Sequence, residues 1–168
     1  NGDRVAIEEG GRDVLLIAQV TVETTGTMLL GSEIGAALNT LEPLGIDLIG
    51  LNCATGPAEM SEHLRYLSKS SRAGVSVMPN AGLPILGPDG ATYPLTPKEL
   101  AAALSIFVNE YGVSLLGGCC GPTPAHLLEV VRVLTGSVPA KRNPQVEPRA
   151  SSPYQSVPFR QDLPSMAL

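Results

Sequence analysis

IDLIGLNCATGPAEMSEHLRYL, residues 46–67, changes its hydrophobic period midway. Residues 46–52 (IDLIGLN) form a short, nearly continuous apolar run of strand length, the pattern of a strand buried on both faces. Pro57 suits the first position of a helix, and Met60, Leu64 and Leu67 then recur at helical spacing. Strand followed by amphipathic helix makes one βα unit, and the pattern repeats on either side. Upstream, residues 14–22 (VLLIAQVTV) read as a strand, followed by a stripe of Leu30, Ile34, Leu38 and Leu41 with Ser32 as N-cap. Downstream, residues 74–78 (GVSVM) lead through the long loop PNAGLPILGPDGATYPL, residues 79–95, to a helix. Thr96 and Glu99 bracket Pro97 as a capping box, and Leu100, Leu104 and Phe107 carry the stripe. Finally, residues 113–117 (VSLLG) precede a helix capped by Thr123, opened by Pro124, facing inward through Leu127, Val131 and Leu134, and ended by Gly136.

The fold class is therefore α/β: four βα units around a parallel sheet covered by helices. A complete (β/α)8 barrel takes roughly 250 residues and eight units, so this chain of 168 residues makes either half a barrel or a small doubly wound sheet. Residues 1–136 are the βα portion, and residues 137–168, punctuated by proline and without period, read as an interdomain linker. Loop 79–95 exceeds the usual connection of about 4–6 residues, which marks it as functional or mobile: a lid over the pocket, or a segment loosened by loss of its partner elements.

A net charge of −5 supplies no basic face for nucleic acid or an anionic membrane surface. The cluster Lys141, Arg142 and Arg149 reads as solvated linker. No apolar run approaches the ~18 residues of a membrane span, and the opening NGDRVAIEEG lacks the core of a signal peptide. That opening also lacks an initiator Met, which reads as a fragment or a processed product. Three cysteines, two of them adjacent, make a poor disulfide framework and fit a reducing cytoplasm.

The chemistry-bearing residues fall at the carboxyl ends of the expected strands, where loops of a parallel α/β fold face a common mouth. Glu23 follows the first strand, Asn52 and Cys53 the second, Asn80 the third, and Cys119 and Cys120 the fourth. Three thiolates suit zinc, and three protein ligands leave a tetrahedral position open for a substrate thiol, which the ion favours in its deprotonated, nucleophilic form. No CxxC pair, the usual mark of a closed structural site, is present. Adjacent side chains on a regular strand point to opposite faces, so Cys119 and Cys120 reach one ion only from an irregular turn, which Gly117, Gly118 and Gly121 permit.

The motifs Gly50-Leu51-Asn52-Cys53 and Gly117-Gly118-Cys119-Cys120 resemble those of the homocysteine-binding domain of methionine synthases and related homocysteine S-methyltransferases, over roughly residues 13–136. The resemblance implies a (β/α)8 barrel with these as units five to eight, and zinc on Cys53, Cys119 and Cys120. It also implies homocysteine bound through sulfur as the methyl acceptor. No catalytic residue beyond the zinc site is implied, and Asn80, in the matching PNAG segment, is a candidate for the position that substrate later takes. Asn52 and Glu23 are further substrate-side candidates. The segment YQSVPFRQD, residues 154–162, is similar to the linker that leads, in cobalamin-dependent members, to a folate-binding barrel. Cobalamin and methyltetrahydrofolate are thus implied for a longer enzyme but not as ligands of this chain. Turnover by this chain alone is not expected.

Plainer readings stand beside these. Cys53 could be a small buried hydrophobe, Cys119 and Cys120 a vicinal disulfide or inert thiols, Asn80 a turn former and Glu23 a solvated carboxylate. His63 reads as a surface residue, and His126 is left out of the site because a fourth protein ligand would close it. A stand-alone homocysteine S-methyltransferase with another donor, and a non-catalytic zinc-binding or oligomerisation module, are the competing functions. Uncovered strand edges predict contact with the other half of a barrel or self-association.

Overall fold

The computed structural model describes residues 14–159. The N-terminal decapeptide and the end of the YQSVPFRQD segment lie outside them. Four parallel strands pair in chain order: β1 (Ile17–Val20), β2 (Leu48–Asn52), β3 (Gly74–Met78) and β6 (Leu115–Leu116). The register sets Gln19 opposite Gly50 and Gly50 opposite Ser76. Ile49, Leu51, Val75 and Val77 point from this sheet into a closed core with Leu64, Leu67, Leu100 and Leu104. Those last four lie on α2 (Pro57–Ser70) and α3 (Pro97–Asn109), which with α1 (Ile34–Leu41) and α4 (Pro124–Leu134) accompany the sheet. This is the parallel α/β fold that the alternating periods predict, and it corresponds to half of a (β/α)8 barrel, as the resemblance implies.

Helix starts follow local chemistry. Glu59 Oε2 accepts from the Gly56 N–H at 3.1 Å to open α2. At α3, Glu99 Oε2 accepts from the Thr96 N–H at 2.8 Å while Thr96 Oγ1 accepts from the Glu99 N–H at 3.4 Å, the reciprocal box expected there.

Several expectations need correction. Helix α1 begins at Ile34 with Glu33 as N-cap, not at Ser32. Gly26 and Gly31 take left-handed φ values of 84° and 90°, and the turns they permit leave Leu30 outside the helix and 81% exposed. Ser32 Oγ instead donates to the Pro153 carbonyl at 2.7 Å. On α4 the inward residues are His126 and Val130, whereas Leu127 and Val131 are exposed. This helix is apolar nearly all round, so its period alone does not select the face that packs on α3. Loop 79–95 carries an exposed hairpin, β4 (Ile85–Gly87) with β5 (Gly90–Thr92).

The proline-rich segment after α4 is tied to the helices along its described length. The Ala140 N–H donates to the Val108 carbonyl at 2.9 Å, and the Gln145 N–H to that of Lys69 at 2.7 Å. Arg142 is not a solvated charge, since its guanidinium donates to the carbonyls of Ser71 and Ala73 at 3.1 and 2.5 Å. Arg149 likewise donates to Ser156 Oγ at 2.7 Å. The chain then forms β7 (Arg149–Ser151) and β8 (Ser156–Pro158), an antiparallel pair gripped by Asn39 of α1 through Ser151 Oγ at 2.9 Å and Ser156 Oγ at 3.2 Å.

Among the described residues, β1 and β6 each have one strand neighbour. Apolar side chains lie exposed on Leu15, just before β1, and on Leu128 and Val131 of α4. No described helix is long and apolar enough to cross a membrane.

Candidate metal centre

Three loops at the carboxyl ends of β2, β3 and β6 converge. After Asn52 the backbone turns sharply, with both Cys53 and Ala54 at φ 64°, a left-handed conformation that costs L-residues roughly 1–2 kcal/mol each. The turn is held by the Cys53 N–H donating to the Met78 carbonyl at 3.1 Å. Beyond β6, the Cys119 N–H donates to the Pro79 carbonyl at 2.9 Å, and the Cys120 carbonyl accepts from the Ala81 N–H at 2.9 Å. The chain thus leaves strand geometry before the vicinal cysteines, and Gly121 follows at φ 90°.

The result is a cluster of three free thiols whose sulfurs all lie within 4.8 Å of one another. Cys53 Sγ is 3.7 Å from Cys120 Sγ, and Cys119 Sγ is 3.8 Å from Cys120 Sγ. Sulfurs placed about 2.3 Å from a tetrahedral ion stand about 3.8 Å apart, and the Cys53–Cys120 and Cys119–Cys120 separations match that spacing. Cys53 and Cys120 are half-buried and Cys119 is exposed, which leaves the cluster accessible from one side.

The surroundings favour thiolate unequally. Chiefly the Ala54 N–H, then hydrogen bonds from Cys119, Cys120 and Asn80, hold the Cys53 thiol below its ordinary value, against the effect of burial. Cys119 is pushed up to about 12, first by desolvation of its sulfur, although the residue's surface is exposed, then by the neighbouring sulfurs. In the metal-free, reduced chain, iodoacetamide near neutral pH should therefore alkylate Cys53 before the more exposed Cys119, because the thiolate is the nucleophile. Peptide mapping by mass spectrometry reads the order. Cys119 reacting first would show that exposure, not ionisation, governs this cluster.

Asn80, 2% exposed, binds two of the loops together: its Oδ1 accepts from the Cys120 N–H at 3.0 Å, and its side chain also bonds Cys53. Asn52 lies one residue from the cluster, but its Nδ2 donates to Gln19 Oε1 at 3.2 Å and approaches Met78 Sδ at 3.9 Å. Glu23 is half-buried in its own turn, where its backbone carbonyl accepts from the Gly26 N–H at 2.9 Å.

Three neighbours were not expected from the sequence. Gln19 Nε2 donates to the fully buried Ser76 Oγ at 3.3 Å, which with Asn52 makes a polar row across β1, β2 and β3. A polar residue interrupting an apolar strand was the available signal. The third is Tyr93, whose ring lies against Gly121, next to Cys120, and whose phenol pKa is held above its ordinary value, first by Cys120 and then by burial.

Both histidines sit apart from the sulfurs' bonding. His126 completes the cap of α4 in place of the Thr123 side chain: its Nδ1 accepts from the Thr123 N–H at 3.1 Å, so Nε2 carries the proton and donates to the Leu95 carbonyl at 2.9 Å. His63 is half-buried rather than at the surface, and burial lowers its pKa. A cleft of about 410 Å³ between α2 and α3 includes Pro57, Leu83, Leu95 and Phe107 but none of the thiols. Its lining is mainly apolar, so the chemistry is placed at the cysteines.

Fold and site together define an α/β half-barrel unit with a thiol cluster at the carboxyl ends of its parallel strands. The chain belongs to the homocysteine S-methyltransferase family, whose model matches residues 4–134. It is 62% identical over 161 residues to a methionine synthase of Mycobacterium tuberculosis (strain ATCC 25618 / H37Rv), an alignment covering 96% of this chain and 14% of the relative. A methionine synthase of Mycobacterium leprae (strain TN) is 61% identical over 165 residues, covering 95% of this chain and again 14% of the relative. The chain thus spans about one seventh of the length of the curated relatives it matches.

Proposed function

We propose that Cys53, Cys119 and Cys120 hold a zinc ion that binds homocysteine through its sulfur, and that this thiolate accepts a methyl group to give methionine. The observation that carries the reading is the meeting of three sulfurs at 3.7 and 3.8 Å with one side of the cluster accessible. When bound, zinc supplies Lewis acidity that favours the thiolate form of an incoming thiol at neutral pH. The chain's own residues set the stage for it. Asn80 keeps Cys53 and Cys120 in register, the Ala54 N–H stabilises charge on Cys53, and Asn52 and Glu23 stand on the loops that would frame the amino acid.

The reading extends to a larger enzyme, because the chain matches a small share of the relatives' length. In it the methyl donor is methylcobalamin, recharged from methyltetrahydrofolate, and neither is bound by this chain. Residues 1–136 are half of a homocysteine-binding barrel, residues 137–168 the linker onward, and the setting is cytoplasmic. The exposed apolar side chains near β1 and on α4 would close against the other half of the barrel, or against a second copy in its absence.

Elemental analysis of the reduced chain tests the metal reading. About one zinc per chain is expected, with the X-ray absorption of the bound ion gaining a sulfur neighbour when homocysteine is added. Failure to bind zinc under reducing conditions would remove the proposal. Zinc that does not respond to homocysteine would leave a metal site and show that substrate is held by residues outside this chain.

A further inference from the structure

We infer that Gln19 is a positioning residue of the substrate pocket: it fixes the Asn52 amide so that Asn52 Oδ1 accepts from the ammonium group of the amino acid whose sulfur the thiol cluster takes. This rests on the metal reading above and deepens it, assigning a residue outside the cysteine motifs.

Side chains on a strand alternate between the two faces of a sheet. Ile49, Leu51, Val75 and Val77 point into the core with the helices, so Gly50, Asn52, Ser76 and Met78 belong to the opposite face. The register pairs Gln19 with Gly50 and Gly50 with Ser76, which puts Gln19 on that face as well. Gln19 and Ser76 thus stand on either side of β2, and any side chain at residue 50 would separate them. A Cβ built on Gly50 would overlap the Ser76 hydroxyl. That hydroxyl therefore occupies the space left by the glycine, where Gln19 Nε2 reaches it at 3.3 Å.

The Gln19 amide is bonded at both ends. Nε2 donates to Ser76, which is fully buried and so anchors it within the sheet, and Oε1 accepts from Asn52 Nδ2 at 3.2 Å. Asn52 Nδ2 also approaches Met78 Sδ at 3.9 Å. A thioether accepts and never donates, so Met78 favours the nitrogen, not the oxygen, of the amide on its side. With its N–H groups directed at Gln19 and Met78, Asn52 offers Oδ1, which accepts no bond among the described residues. Asn52 is half-buried and directly precedes Cys53. An acceptor with no free donor selects the ammonium of an amino acid rather than its carboxylate.

The test loads the reduced chain with cobalt(II) as a spectroscopic substitute for zinc and titrates it with homocysteine and with its amine-free analogue, mercaptobutyrate. The parent should bind homocysteine about tenfold more tightly, the difference that one hydrogen bond to a charged group makes. Gln19→Met keeps the length of the side chain but bonds neither Ser76 nor Asn52. It should take up cobalt at the parent stoichiometry, lose about tenfold in homocysteine affinity and leave mercaptobutyrate unchanged. Asn52→Ala should show the same selective loss, and adding Gln19→Met to it should cost nothing further, because Gln19 acts through Asn52. Ser76→Ala, which frees the buried end of Gln19 with little change in volume, should show a smaller loss of the same kind and guards against a fold defect peculiar to Gln19→Met. Variants that match the parent, or that weaken both thiols equally, overturn the inference. A parent that binds cobalt without distinguishing the two thiols also overturns it and leaves the metal reading intact. A parent that binds no cobalt overturns both.

Discussion

Zinc affinity of Cys53→Ser is expected to fall by more than the roughly 10–100-fold that loss of an outer partner of a metal ligand costs. Competition with a chromophoric chelator under reducing conditions measures it. Serine keeps the size and left-handed backbone of the position but replaces a soft sulfur, poised toward thiolate by the Ala54 N–H, with a hydroxyl that does not ionise near neutral pH. The remaining pair, Cys119 and Cys120, sit 3.8 Å apart on one turn and cannot complete a three-sulfur face alone. Asn80→Ala provides the scale, since its amide bonds to the Cys53 and Cys120 loops without supplying a sulfur; its loss should fall within the 10–100-fold range. Equal affinities for Cys53→Ser and the parent would place the metal elsewhere or nowhere.

Gly50→Ala should be the most damaging small substitution in the sheet. Gly50 lies mid-strand on β2 opposite Ser76, and a Cβ there would overlap both the Ser76 carbonyl and its hydroxyl. A clash with backbone cannot be relieved by a rotamer change, so the cost should reach or exceed the roughly 1–3 kcal/mol of an overpacked core. The flanking Ile49 and Leu51 are fully buried, leaving little room for β2 to shift. Urea unfolding of the variant should show a lowered midpoint, or no folded baseline at all. Zinc should be lost in parallel, because Cys53 is carried on the end of the same strand. Gly87→Ala, where the nearest atom to an added Cβ is a carbonyl oxygen at 3.7 Å in the exposed hairpin, is the control. Equal stability of the two variants would show that the β2–β3 approach is looser than described.

The parts of this fold legible in the sequence were those decided by local chemistry or by one strong pattern. Residues 74–78 were read as the strand they form, and Thr96 with Glu99 as the cap they make, since both depend on neighbours in sequence. The meeting of the cysteines was legible because a parallel sheet sends every strand's carboxyl end to one edge. What escaped depended on partners distant in sequence. The inward face of α4 is selected by α3, not by a helix apolar on most sides. The stretch from Ser137 to β7 has no period because it runs as a strap, tied to Val108, Ser71 and Lys69 far away in sequence. Tyr93 belongs to no motif, and only a hairpin of exposed residues brings its ring to Gly121.

The distance along the chain between the converging loops has a consequence for how the molecule resists unfolding. Cys53 and Cys120 are 67 positions apart, so an ion joining them closes a long loop as a covalent crosslink would. In the chain-entropy picture a closure of that length removes on the order of 4 kcal/mol of disorder from the unfolded ensemble, to the extent that the ion stays attached there. An ion released on unfolding acts instead through mass action, with stability rising as the logarithm of its free concentration. In either case, an ion held as proposed would add to the half-barrel's stability, and the metal-free chain would unfold at lower denaturant.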